Sequence, residues 1–364
     1  MRRAGFTLAI LFLAACTPDV LVDGAGGAGA SGSTTGGPTS TSSSGGGGAG
    51  SGATTSASSA TSVGSSVSTG SVMMAECGNG ALEPGETCDD GGHEDYDGCN
   101  ANCEEEGLDC AAPIARVIGD TEQTFVGSTA VGANHPTALS CANAPGHERW
   151  FAFTAANAGF FTAWTQPGAG TIDSAIYIQS SCAGSPTVCG DNIVGAPDVV
   201  SIAVGAGETL YLAVDGATNG PFELHVDVSK GDDCTDPIPL PLGPHGAAVM
   251  PTRMAVDTTG AANDNDSGPP SQGCGGTSSP DRVYRVIPMG GASATATANA
   301  TMTLEPVLYA RTTCTEHLVG GTCSYSSQQG GTTSLPFNTP ATGTYLWVDG
   351  LAGTQGAAVL SVQP

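Results

Sequence analysis

The residues most able to do chemistry here are cysteines and carboxylates. The chain carries 13 Cys, and its 34 Asp and Glu stand against nine Lys and Arg. Thirteen thiols in one chain point to an oxidising compartment, where disulfides persist. Twelve of them, from Cys77 to Cys323, form an even set; the thirteenth, Cys16, stands apart near the amino end. The net charge of −25 excludes nucleic acid as a partner, because binding it requires Lys and Arg to neutralise phosphates. It equally excludes docking on anionic lipid through a basic patch. No G-x-S-x-G elbow or H-E-x-x-H pair occurs, and the six His are scattered, so no catalytic constellation is specified. The expectation is a non-catalytic protein. A secreted hydrolase with an unmarked cleft is the remote alternative.

Carboxylates cluster most densely over residues 76–110, with twelve acidic residues and no Lys or Arg. So short a segment cannot form a core and must be stapled; Cys77, Cys88, Cys99 and Cys103 allow three pairings. Calcium, a hard cation taking six to eight oxygens, suits Glu86, Asp89, Asp90, Asp95 and Asp97, although the spacing of an EF-hand loop is absent and a solvated acidic face is the other reading. The segment CGNGALEPGETCDDGGHEDYDGCNANC resembles the cysteine-rich repeat of secreted and surface proteins of myxobacteria and their relatives, with Gly92 where that repeat usually has Asn.

The amino end reads as a targeting segment. Arg2 and Arg3 precede an apolar run, Ala4 to Ala15, too short to span a bilayer as a helix and fitting a secretory signal. Its end, Leu13-Ala14-Ala15-Cys16, resembles a bacterial lipobox, which implies cleavage before Cys16, lipid on that residue and a lipid-anchored place in the cell envelope, at the outer membrane or cell surface. Residues 24–70 are nearly all Gly, Ser, Thr and Ala, which cannot bury enough apolar surface to offset chain entropy. They read as a leash with an end-to-end distance of roughly 40 Å.

From about residue 110 the chain is duplicated. Residues 171–182 (TIDSAIYIQSSC) match 303–314 (TLEPVLYARTTC), Tyr211–Gly216 match Tyr345–Gly350, and Glu148–Phe151 match Asp281–Tyr284. Cys110, Cys141, Cys182 and Cys189 parallel Cys234, Cys274, Cys314 and Cys323. This order suggests local bridges Cys182–Cys189 and Cys314–Cys323, and wider ones Cys110–Cys141 and Cys234–Cys274. Period-two alternation, as in Phe222, Leu224, Val226 and Val228, implies half-buried antiparallel strands. Many short strands separated by Gly, Pro, Asn and Asp favour sandwiches.

The expected fold is all-β: two tandem antiparallel β-sandwich, jelly-roll-like domains after a small disulfide-rich module and a disordered linker. The divisions are 1–15 signal, 16–75 lipidated Cys and linker, 76–109 acidic repeat, 110–229 first sandwich and 230–364 second. The duplicated part resembles the bacterial pre-peptidase C-terminal type of domain. That resemblance rests on Cys189-Gly190-Asp191-Asn192 and on Gly207 to Gly216; the second unit lacks the acidic pair, since Ser324 and Tyr325 follow Cys323. It implies an accessory binding role, and Asp191 joins the candidate metal ligands. Trp164 and Trp347 are candidates for stacking on sugar rings, so the alternative reading is a calcium-assisted carbohydrate-binding accessory protein. The expected partners are the membrane, through lipid on Cys16, and a polysaccharide or cell-surface protein.

Overall fold

The computed structural model describes residues 76–89, 93, 99–130, 134, 146–166, 172–244, 249–263, 279–288, 290, 293–314, 323–340 and 343–364. Residues 1–15 read as a signal, Cys16, residues 24–70 read as a leash, Asp90, Asp95, Asp97, Cys141 and Cys274 lie outside these residues.

Two β-sandwiches follow the cysteine-rich repeat. In the first, β1 (Ile114–Ile118), β3 (Arg149–Ala155), β8 (Thr209–Gly216), β5 (Ser174–Gln179) and β6 (Val188–Asp191) form one sheet in the order β1-β3-β8-β5-β6. The facing sheet holds β2 (Gln123–Ser128), β9 (Pro221–Ser229), β4 (Gly159–Thr165) and β7 (Val199–Val204), in the order β2-β9-β4-β7. The second sandwich repeats this plan nine strands later. One sheet runs β10 (Ile238–Leu242), β12 (Arg282–Pro288), β17 (Thr344–Gly350), β14 (Pro306–Arg311), β15 (Cys323–Tyr325). The other runs β11 (Thr252–Asp257), β18 (Ala357–Gln363), β13 (Ser293–Ala300), β16 (Thr332–Asn338). The all-β expectation holds, and the duplication read from short sequence matches extends to every strand. One feature departs from purely antiparallel sheets: β1 pairs with β3, and β10 with β12, in parallel.

Alternation sets both cores. Phe151, Phe153, Ile176, Ile178, Leu212 and Val214 face Phe161, Leu224 and Val226 across the first sandwich, all buried. Tyr284, Leu308, Leu346 and Val348 face Ala296, Leu335, Leu360 and Val362 across the second. Phe160, at the start of β4, points the other way and joins the second sandwich's core, with the Arg282 guanidinium 5.4 Å above its ring.

The bridges correct the sequence expectation. Cys110 pairs with Cys182 and Cys234 with Cys314, whereas the repeat pairs Cys77 with Cys103 and Cys88 with Cys99. Cys189 and Cys323 are also disulfide-bonded. Cys182–Cys189 and Cys314–Cys323 therefore do not form, nor do Cys110–Cys141 and Cys234–Cys274. Register explains this: Cys189 stands opposite Tyr177 inside the β5–β6 ladder, as Cys323 stands opposite Tyr309. Cys182 and Cys314 lie past their strand ends, beside the cysteine that opens each module.

Phe160→Ala removes an aromatic side chain from the second core. It is expected to destabilise the junction by about 3 kcal/mol, read by urea unfolding of the full chain. A loss below about 1 kcal/mol, the scale of an ordinary surface change, would show that the two sandwiches do not share that core.

Candidate functional site

In the cysteine-rich repeat, Gly78 and Gly80 both have positive φ, 81° and 80°, a conformation glycine adopts without steric penalty. The resulting curl turns the N–H groups of Gly78, Asn79 and Gly80 onto the Asp89 carboxylate at 3.0, 3.2 and 2.9 Å, a backbone anion nest. Glu86 accepts the Glu83 N–H at 2.8 Å, and Glu83 accepts the Glu76 N–H at 3.0 Å. Among the described residues two groupings of three Cys or acidic ligand atoms lie close enough to share an ion here, and both include disulfide-bonded cysteines. The fit of Asp89 is thus to backbone donors.

A motif absent from the sequence reading opens each sandwich. Gly107-Leu108-Asp109-Cys110 and Gly231-Asp232-Asp233-Cys234 fold alike. The two glycines have φ +68° and +66°; the Gly107 N–H donates to the Ala112 carbonyl and the Gly231 N–H to that of Asp236. Their carbonyls accept the N–H groups of Trp150 and Val283 at 2.7 and 2.8 Å. Buried Arg149 donates to the carbonyls of Ser128 and Glu106 and pairs with Glu105. Arg282 donates to the carbonyls of Asp257 and Lys230 and pairs with Asp232. The G-x-D-C spacing was visible in the sequence; its partner arginine lies about 40–50 residues on, beyond any local pattern.

The middle of the outer face of each five-stranded sheet is buried as well. Trp150, Tyr177 and Ala213 pack with Cys110 in the first sandwich; Val283, Tyr309 and Trp347 pack against the cysteines in the second. The registers pair Trp150 with Ala213 and Val283 with Trp347, so the indole has changed strand between modules while the pair keeps one large and one small member. Trp347 is 0 % exposed and stacks on Tyr309 at 5.3 Å; Trp164 is 2 % exposed and stacks on His225 at 5.0 Å. Both indoles are core, so neither presents a platform for a sugar. Alternation identified one face of each strand as buried, but not the cover on the other.

Buried acids line the same faces. Glu148 and Asp215 in the first module correspond to Asp281 and Asp349 in the second, all fully buried. Burial, reinforced by Glu148 and Asp191, pushes Asp215 up to about 7. Burial also raises Asp191, with Asp173 adding to it. Asp191, at the end of β6, is exposed. Asn192 beside it binds across the junction: its side-chain oxygen accepts the Met250 N–H at 2.9 Å and its amide donates to the Met250 carbonyl at 3.3 Å. The junction also holds Glu122, which accepts from His225 at 2.9 Å and pairs with Arg285 of the second sandwich at 3.4 Å.

No family model matches the chain, and no curated protein matches it. Among solved structures, the PBSX exported protein XepA aligns at 9% identity and a TM-score of 0.16, over 68% of this chain and 83% of that one. The CUB1-EGF-CUB2 region of human MASP-1/3 aligns at 8% identity and a TM-score of 0.17, over 66% and 98%. Likenesses this faint carry no argument about function.

Asp227 lies on the outer face of β9, 7 % exposed, opposite buried Thr162. Burial pushes it up to about 6, with Asp236 and Glu122 adding to the rise against a hydrogen bond from Ser229. The folded chain therefore holds a proton that the unfolded chain releases near pH 4. Unfolding free energy falls as pH climbs from about 4 to 6, by on the order of 2–3 kcal/mol, and levels off above. Asp227→Asn is expected to flatten that part of the stability-versus-pH curve; an unchanged slope in urea titrations would overturn the assignment.

Proposed function

We propose that this chain is a lipid-anchored protein of the cell envelope that holds two β-sandwich modules away from the membrane for binding or adhesion, without catalysis of its own. The observation that carries the reading is the union of the two modules. They repeat one strand plan, each is clamped from its entry turn by a disulfide, and Phe160 of the first is built into the core of the second. A covered junction of this kind makes a stiff display unit, which a long Gly/Ser/Thr leash can carry outward from a lipid on Cys16. The strongly acidic surface supports the same reading, since net charge keeps such a unit from collapsing onto anionic lipid.

The polysaccharide reading finds support in a different place from the tryptophans. On the outer face of the second four-stranded sheet, β16, β13 and β18 carry no ionisable side chain, and the edge strand β11 adds exposed Arg253 beside Ser361. The rows across β16, β13 and β18 read Pro336–Thr295–Gln363, Ser334–Thr297–Ser361 and Thr332–Asn299–Val359. Thr297 and Ser334 hydroxyls lie 3.0 Å apart, and Thr332 donates to Asn299 at 2.9 Å. In an acidic chain, such a face is compatible with a neutral, hydroxyl-rich polymer.

In cells, wild-type protein is expected in the membrane fraction and accessible to added protease, with Cys16→Ala released to the soluble fraction; equal membrane partition of the variant would overturn the anchoring. On an array of neutral polysaccharides the full chain is expected to bind, and Thr297→Glu to weaken that binding about tenfold, roughly 1.4 kcal/mol. Binding indifferent to the new charge would place the contact elsewhere.

A further inference from the structure

We infer that the first sandwich, and not the second, binds one calcium ion at the end of its five-stranded sheet, through Glu148, Asp215 and Asp191. The positions come from the ladder. Arg149 pairs with Val214, so Glu148 and Asp215 follow as the next opposed pair, on one face of two antiparallel strands. Like charges directly opposite each other are unfavourable even when solvated, and both residues are 0 % exposed. Asp215 pairs in turn with Ala175, and Ala175 with Asp191. Three acids therefore lie in sequence across the sheet, Glu148 just ahead of β3, Asp215 in β8 and Asp191 in β6, with the methyl group of Ala175 in β5 between the last two.

The second observation concerns the free valence of that row. The Asp215 Oδ1 atom accepts the Gly216 N–H at 2.6 Å, whereas its Oδ2 atom is buried with no hydrogen-bond partner. A buried carboxylate oxygen left so is strongly disfavoured unless a proton or a cation meets it. The neighbouring guanidinium of Arg149 is committed to the entry turn.

The duplicated module supplies a control. Its row reads Asp281, Asp349, Val307, Tyr325. The third acid has become Tyr325 and the alanine spacer has become Val307. Arg311 stands where the first module has Gln179, and its guanidinium sits 4.9 Å over Tyr309 and 4.8 Å over Trp347, one row from Asp349. The second module thus carries its own cation and one acid fewer. The first retains three acids, with exposed Asp191 as the way in from solvent.

The three carboxylates lie along a line rather than around a point. Among the described residues, ready-made trios of ligand atoms occur in the cysteine-rich repeat alone. Binding therefore draws Asp191 and Asp215 together above Ala175. Calcium accepts irregular shells of six to eight oxygens, where magnesium demands a near-ideal octahedron, so calcium is the ion that suits such a closing.

The test is calorimetric titration of the full chain with calcium in physiological salt, alongside terbium emission excited through Trp150 and Tyr177. Wild-type protein is expected to show one saturable site that Asp215→Asn abolishes. Asp191→Asn, at an exposed position that leaves folding intact, is expected to weaken it roughly tenfold through loss of one charged ligand. Asp349→Asn should leave it unchanged. Any uptake by the acidic repeat would persist in all three variants and so is separable. No site in the wild type, or a site indifferent to both Asp215→Asn and Asp191→Asn, would overturn the assignment, as would a Glu148–Asp215 pair that holds a proton near neutral pH in the presence of calcium.

Discussion

One arginine holds each sandwich to the segment before it. Arg149 and Arg282 each take the last carbonyl of the second strand of their module, the carbonyl ahead of the entry glycine, and an acidic side chain from the incoming chain. Five fixed N–H donors on a planar group permit one residue to close three distant points. The parallel edge strand depends on this closure. The chain must enter beside β3 or β12 in the same direction, and the entry turn, pinned by the arginine and by the disulfide from Cys110 or Cys234, sets that direction. Loss of the guanidinium would remove the side-chain donor from each of these carbonyls and leave the acidic partner without its counter-charge.

Much of this was legible in the sequence, and what was not has physical reasons. Strand alternation gave Phe222, Leu224, Val226 and Val228 as one buried face, because side chains of a strand alternate whatever their partners. The duplication was legible because short matches such as TIDSAIYIQSSC and TLEPVLYARTTC keep turn and strand residues in register. The bridges were misassigned because proximity in sequence is a poor guide once a ladder intervenes: seven residues separate Cys182 from Cys189, yet the register puts Cys189 against Tyr177. Trp164 and Trp347 were misread for a related reason. Alternation separates the two faces of a strand, but whether the second face is covered depends on tertiary contacts such as those of His225 and Tyr309. Of the candidate site, Asp191 was readable beside its cysteine, while Glu148 and Asp215 are brought together only by pairing of β3 with β8.

The polar residues inside these modules follow one rule with two solutions. A buried acid must be offset locally, since the surrounding dielectric magnifies its charge. In the cysteine-rich repeat Asp89 is offset by three backbone N–H groups, which two left-handed glycines aim at it. In the second sandwich, Arg311 lies over the aromatic pair beside Asp349. The first sandwich has the same acids and Gln179 in place of the arginine. The divergence of the two copies is therefore concentrated where charge is buried, while the apolar cores keep their pattern.

The junction shows where the two copies have diverged on their four-stranded sheets. Matching Gly220 to Gly356, each of which closes the same pair of hydrogen bonds with Thr129 or Thr258, aligns the four-stranded sheets residue by residue. Phe160 then corresponds to Ser293, Trp164 to Thr297 and Val199 to Ser334. In the first module Phe160 and Val199 pack against the second core; in the second module the same positions carry hydroxyls. A sheet face open to solvent is kept polar for solubility, and charged residues could have served that end. Hydroxyl and amide groups serve it too, while leaving a face that can exchange water for the hydroxyls of a neutral partner without burying a charge.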